Sequence, residues 1–195
     1  MPLLAAVILS LPTPATAAEV RISLGNGSAA ETATKAQLER LLAANDLRRW
    51  LFTRDVLIDQ AAIPHSHPVL TLHARYVRDD DLLLSTFLHE QLHWFLVQRG
   101  KATDAAIAEL RLHYPELPVG FPDGAGDEHS NYLHLLVNYL EFQANRVVMG
   151  ELRARQAMEF WATSHYRRIY REVLDRPDPI LAAIKKHSLI PPRPR

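Results

Sequence analysis

Asp79 to Gly100 reads DDDLLLSTFLHEQLHWFLVQRG, and the reading of this stretch decides the fold. No Gly or Pro interrupts it before Gly100. Asp79, Asp80 and Asp81 supply an N-cap and negative charge at the positive end of a helix. Arg99 and Gly100 supply a cation and a left-handed stop at the other end. Between Leu82 and Val97 apolar side chains cover nearly the whole circumference, so the predicted helix is a buried one. At its centre lies His89-Glu90-Gln91-Leu92-His93, the pattern H-E-x-x-H. Residues four apart share a helix face, so the two imidazoles can bind one metal ion. Glu90, about 100° round from His89, can reach a water beside that ion. Polar groups inside an apolar helix are costly unless something satisfies them. The competing reading is a pair of core histidines bonded to backbone carbonyls. The agreement of motif, caps and burial favours the metal.

Working outward, the chain of 195 residues is long enough for one domain with a substantial core. Its 22 basic and 22 acidic residues cancel, which argues against nucleic acid or an anionic membrane as partner. There is no cysteine, so a metal site has to use His and carboxylates, and the ten histidines point the same way. Residues 1–18 contain an apolar stretch from Leu3 to Leu11, then Pro12, Pro14 and the small residues Ala15-Thr16-Ala17-Ala18. That pattern predicts a cleaved signal peptide and a secreted or periplasmic protein, although no Lys or Arg stands near the start. The stretch is too short to span a membrane, and no other stretch approaches a transmembrane span.

The segments before the motif read as strands and those after it as helices. Glu19–Leu24, Trp50–Asp59 and Val69–Tyr76 are predicted strands, with a helix over Lys35–Asn45 capped by Thr34. The expectation is α+β, a small N-terminal antiparallel sheet followed by a mainly helical core. Val69–Tyr76 is expected as an exposed edge able to hold a peptide by strand addition. His65 and His67 flank Ser66 in a turn-rich link; solvated loop histidines are the commoner case, with a second metal site as the alternative. Thr103 or Asp104 caps a short helix ending near His113. The Pro- and Gly-rich segment from Pro115 to Glu128 is expected at the rim of a cleft. Helices are predicted over Ser130–Met149, Glu151–Leu174 and from Pro177 or Pro179 to His187. The single domain covers 19–190, and 191–195 are expected to form an extended, disordered tail.

Zinc in catalytic sites takes three protein ligands. On the predicted helix Ser130–Met149, His134, Asn138, Glu141 and Asn145 form one polar face amid apolar surface. The stripe lacks Lys, Arg and Asp, which sets it apart from an ordinary solvated face.

The H-E-x-x-H motif followed 48 residues later by Glu141 resembles the gluzincin branch of the zincin metallopeptidases. The resemblance covers the two helices and the strand before them. It implies that Glu141 is the third metal ligand beside His89 and His93, with Glu90 as general base and a peptide as substrate. His134 is the alternative third ligand, and His129 stands behind it. Family members often bond an acidic group, four residues after that glutamate, to a metal histidine. Asn145 occupies the place, an altered version of that role. A Tyr or His stabilises the oxyanion in similar enzymes, and His129, Tyr132 and Tyr139 are the candidates. The expected activity is zinc-dependent peptide hydrolysis. The alternatives are another zinc amidohydrolysis, a zinc-binding domain without proteolysis, and a metal-free helical domain with buried histidines.

Overall fold

The structure is a computed structural model and describes residues 20–193. The proposed leader at 1–18 therefore lies outside the described residues. The fold is α+β and mostly helical, as expected. Three short strands, β1 (Arg21–Leu24), β2 (Asp55–Ile58) and β3 (Leu70–Leu72), form one sheet in that order. The helices are α1 (Ala29–Ala44), α2 (Asp80–Val97), α3 (Gly100–His113), α4 (Glu128–Met149), α5 (Glu151–Ser164), α6 (Arg167–Asp175) and α7 (Asp178–Lys186). No described helix is long and apolar enough to cross a membrane.

The sheet is parallel, not antiparallel as the strand pattern suggested: Ile22 pairs with Val56, and Val56 with Leu70. The reason is the connections. Helix α1 carries the chain back between β1 and β2, as a parallel pair requires. That helix begins at Ser28, not at Thr34. Ser28 and Glu31 form a capping box, while the Glu31 carboxylate also accepts from the backbone N–H groups of Asn26 and Gln60. Glu31 thus ties the end of β1 to the residues after β2, and those N–H donors hold its carboxyl below the usual range.

The predicted strand Val69–Tyr76 shrinks to Leu70–Leu72, and its outer edge is not free. Thr71 and His65 exchange both backbone hydrogen bonds, at 2.8 and 3.1 Å. The chain's own link segment occupies the place expected for a peptide. That link is also fastened to α2, because Trp94 donates to the Ser66 carbonyl at 2.7 Å and His67 stacks on the Trp94 ring.

Helix α2 is the centre of the molecule. Asp79 caps it by accepting from the Leu82 N–H, and thirteen of its residues are buried. Gly100 is not its left-handed stop. The chain turns at Arg99 straight into α3, and the Thr103 hydroxyl donates to the buried carbonyl of Leu96. Gln91, inside the motif, is a structural clamp. Its side-chain oxygen accepts from the Phe52 and Thr53 N–H groups and its amide donates to the Thr53 carbonyl.

Helix α4 packs along α2 and runs antiparallel to it. Asn145 and Glu141 meet Ser85 near the start of α2, while His134 stands beside His89 and His93 further along. The expected long helix Glu151–Leu174 is broken at His165 and Tyr166, and Tyr166 adopts left-handed backbone angles (φ 48°). The acceptors that permit the break come from the Pro115–Glu128 loop. The Pro122 and Asp123 carbonyls receive the first N–H groups of α6, those of Arg167 and Arg168. The loop is tight: a Cβ on Gly124 would stand 1.8 Å from the Pro118 carbonyl oxygen. At the C-terminus, Pro191 is buried and its carbonyl accepts from Arg49, so the extended tail is anchored at its first residue.

Candidate metal centre

The H-E-x-x-H turn of α2 faces α4. Among the described residues one group has the geometry of a metal site: His89, His93 and His134 offer ring nitrogens all within 4.8 Å of one another. The Nε2 atoms of His89 and His93 stand 3.2 Å apart. Two unprotonated ring nitrogens repel at that distance unless a proton or cation lies between them. Two nitrogens each about 2.05 Å from a tetrahedral zinc ion stand about 3.3 Å apart, so the pair fits such an ion.

Each outer nitrogen is set by a partner. His134 Nδ1 bonds the Ser130 carbonyl at 2.7 Å, one turn back on α4. His89 Nδ1 bonds Glu141 Oε2 at 2.9 Å. In both rings Nε2 is left as the acceptor, the form a metal needs.

Glu141 therefore does not stand where the gluzincin resemblance put it. It is outside the three-residue group, on the far side of the His89 ring, and completely buried. Oε1 accepts from the Ser85 hydroxyl at 2.5 Å, and Oε2 accepts from the Tyr170 hydroxyl at 3.1 Å as well as from His89. Both of its oxygens are thereby occupied. Asn145 does not touch a histidine. Its amide donates to Ser85 Oγ at 2.9 Å, alongside Trp161 Nε1 at 3.0 Å. Asn145, Trp161, Ser85 and Tyr170 form a buried relay that fixes the carboxylate, which fixes the His89 ring. Asn138, the remaining member of the stripe, is fully buried with neither side-chain polar atom partnered.

Glu90 projects into a cavity of about 300 Å³ beside these rings. The cavity is also lined by His73, Arg75, Tyr76, Trp161, His165 and Tyr166. Burial pushes the Glu90 carboxyl up to about 7, with the neighbouring histidine charges pulling against it. Burial pushes His134 down to about 3, and it pushes His93 well below the usual range. In His89 burial also acts downward, but the bond to Glu141 and its charge prevail, and the group is raised.

The three predicted oxyanion candidates lie elsewhere. His129 is exposed, the Tyr132 hydroxyl is spent on the Tyr114 carbonyl at 2.8 Å, and neither these two nor Tyr139 lines the cavity. His165 and Tyr166 line the cavity instead, brought in by the break between α5 and α6. The Tyr166 ring lies 4.4 Å from that of His134, and burial and the Glu90 charge raise its hydroxyl above the ordinary range. No local signal marks these two residues, since the caps that break the helix come from a distant loop. The rim expectation for that loop holds at Phe121, which lines the cavity. His65 and His67 are exposed and stand outside the three-histidine group.

Without metal, this cluster makes stability depend on pH. His93, His134 and His165 are depressed in the fold, His165 to about 4, so each contributes stability present above about pH 6.5 and lost on acidification. Glu90 and His89 are raised and act in the opposite sense, Glu90 losing its contribution as pH rises through about 7. Near pH 5.5 the depressed histidines, His73 among them, outnumber the raised Glu90, so the unfolded chain binds more protons than the fold. The imbalance predicts that stability falls on acidification below about pH 6.5. Thermal unfolding in chelator between pH 7 and pH 5 checks this: Tm falls towards pH 5, and a rising Tm contradicts the assignment.

Comparison with protein-family models, with curated proteins and with solved structures finds no match to this chain.

Proposed function

We propose that the chain is a zinc-dependent hydrolase of peptide bonds, with His89, His93 and His134 as the metal ligands and Glu90 as the general base. The observation that carries this reading is the convergence of three imidazoles beside a buried carboxylate in a cavity. Three neutral nitrogens suit zinc, which prefers imidazole and takes three protein ligands where it works catalytically. Glu141 has the role of the carboxylate behind a metal histidine, holding its tautomer and orientation.

A zinc ion held by these rings supplies Lewis-acid activation of a water and of the substrate carbonyl. The chain's own residues do the rest. Glu90 takes the proton from the attacking water on a carboxylate oxygen and returns it to the leaving amine as the C–N bond breaks. Its carboxyl lies buried in the cavity beside the imidazoles, within the site where both transfers would take place. Tyr166, whose raised hydroxyl keeps its proton, donates a hydrogen bond to the carbonyl oxygen as charge develops there. The half-enclosed cavity limits competing water. The apolar stretch at residues 3–11 and the small residues after it support export of the enzyme from the cytoplasm.

The test is hydrolysis of a mixture of unstructured peptides by the zinc-loaded chain. Cleavage stops with a chelator and returns with zinc. Cleavage indifferent to chelation, or none with a full complement of zinc, contradicts the reading.

A further inference from the structure

The cavity beside Glu90 is chemically lopsided. Its inner end carries the carboxylates of Glu90 and Glu141. Its mouth carries one cation, Arg75, the only Lys or Arg among the lining residues. Arg75 is exposed, three residues beyond the end of β3. Two arginines near the start of α2 are neutralised: Arg40 pairs with Asp80 at 2.6 Å, and Arg153 pairs with Asp81. No ion pair joins Arg75 to a carboxylate among the described residues; its side chain reaches the Tyr76 hydroxyl, and its charge acts on the cavity residues His73 and His165.

The rim next to this cation is apolar. Ile63 is 81% exposed and Phe121 71% exposed, and both line the cavity. Phe160, 41% exposed, meets the ring of Tyr76 edge-on at 6.1 Å. Large apolar side chains left in water at the mouth of a pocket are the ordinary mark of a binding surface. Hydrolysis explains Glu90 and the histidines. It does not explain a guanidinium that has no carboxylate partner among the described residues, set among exposed Ile and Phe.

We propose that this cavity selects apolar peptide segments bearing a carboxylate close to the scissile bond, with Arg75 as the carboxylate receptor and Ile63, Phe121 and Phe160 as the apolar seat. The proposal rests on the reading of the site as a peptide hydrolase. A guanidinium matches a carboxylate with two parallel hydrogen bonds, and the partly enclosed setting strengthens the pair relative to open water. A neutral peptide gains the apolar contacts alone. A peptide with a cation at that place meets repulsion. A cavity of about 300 Å³ is at the small end for ligand sites, which suits one or two residues of a chain and not a folded protein surface. The carboxylate is either a free C-terminus or an Asp or Glu side chain, which share one chemistry.

The experiment measures binding, apart from turnover. Dansyl-labelled apolar pentapeptides are titrated into the zinc-loaded full chain carrying Glu90→Gln, so that the probes survive. One peptide has a free C-terminus, one a C-terminal amide, and two further amides carry Glu or Gln at the penultimate position. The expected result is about tenfold tighter binding of an acidic probe than of its neutral counterpart. Free acid over amide identifies the terminus as the source, and Glu over Gln identifies a side chain. Adding Arg75→Gln flattens the preference to within about twofold, while Arg75→Lys retains most of it. Because Arg75 is exposed and in no ion pair among the described residues, both variants fold as the parent does. Equal binding of acidic and neutral probes, a preference that survives Arg75→Gln, or no peptide binding at all overturns the proposal. Failure of the hydrolase reading is separate: the zinc-loaded wild-type chain then leaves every probe intact on chromatography, whatever the binding preference.

Discussion

Glu90→Gln is expected to abolish peptide hydrolysis while leaving zinc bound and the fold intact. The amide has nearly the volume of the carboxyl, and Glu90 has no hydrogen bond contributing to its shift that the substitution would break. Removing a charge that burial disfavours does not weaken the fold. What is lost is the only carboxylate of the cavity free to accept a proton, since both oxygens of Glu141 are occupied by Ser85, His89 and Tyr170. General-base catalysis contributes about 10²- to 10⁴-fold, and the fall in kcat should lie in that range or above it. Initial rates on a cleaved peptide, with zinc content measured on the same samples, check the result. Hydrolysis at the wild-type rate removes Glu90 from the mechanism. Loss of zinc together with activity makes it a structural residue.

The second large effect separates His134 from Glu141. His134→Ala removes a proposed ligand and should weaken zinc binding by more than the 10- to 100-fold typical of losing a group that only orients a ligand. Glu141→Gln should stay within that 10- to 100-fold range, because an amide oxygen can still accept from His89 Nδ1. Competition against a zinc-binding dye gives both affinities. A larger loss from Glu141→Gln than from His134→Ala reinstates the ligand set that the gluzincin resemblance implied. Tyr170 and Ser85 supply an internal control, since the hydroxyl of each donates to the Glu141 carboxylate and not to an imidazole.

The difference between those two residues shows what a sequence can carry. The polar stripe on α4 was legible, and so was its meeting with the motif helix. His134 and Glu141 are seven residues apart, hence about 10.5 Å along the helix axis, and they share a face. The sequence contains the stripe but not the point along it at which α2 crosses. The antiparallel packing sets His134 against His89 and His93, and slides Glu141 back to Ser85. That register comes from side-chain packing along the whole interface, which no local pattern records.

Helix α2 itself was legible because its causes are local: the Asp79 cap, the uninterrupted apolar run and the motif spacing. The break before Tyr166 was not, because its hydrogen-bond acceptors are the carbonyls of Pro122 and Asp123, more than 40 residues away in sequence. A non-Gly residue in left-handed backbone costs roughly 1–2 kcal/mol. Its compensation comes from that loop and from burial of the Tyr166 ring against His134. The parallel sheet and the pairing of His65 with Thr71 also depend on long connections, whereas alternation of side chains specifies only that strands exist. The residues that complete the cavity were thus the hardest to foresee: they arrive on segments whose shape other segments impose.

The most direct test of the account is the zinc content of the purified, reconstituted full chain after exhaustive dialysis. The account predicts close to one zinc per chain in the wild type, retained in Glu90→Gln and lost in His134→Ala. A wild-type chain that holds no more than a few tenths of an equivalent after reconstitution contradicts it, and the three histidines are then part of the core alone.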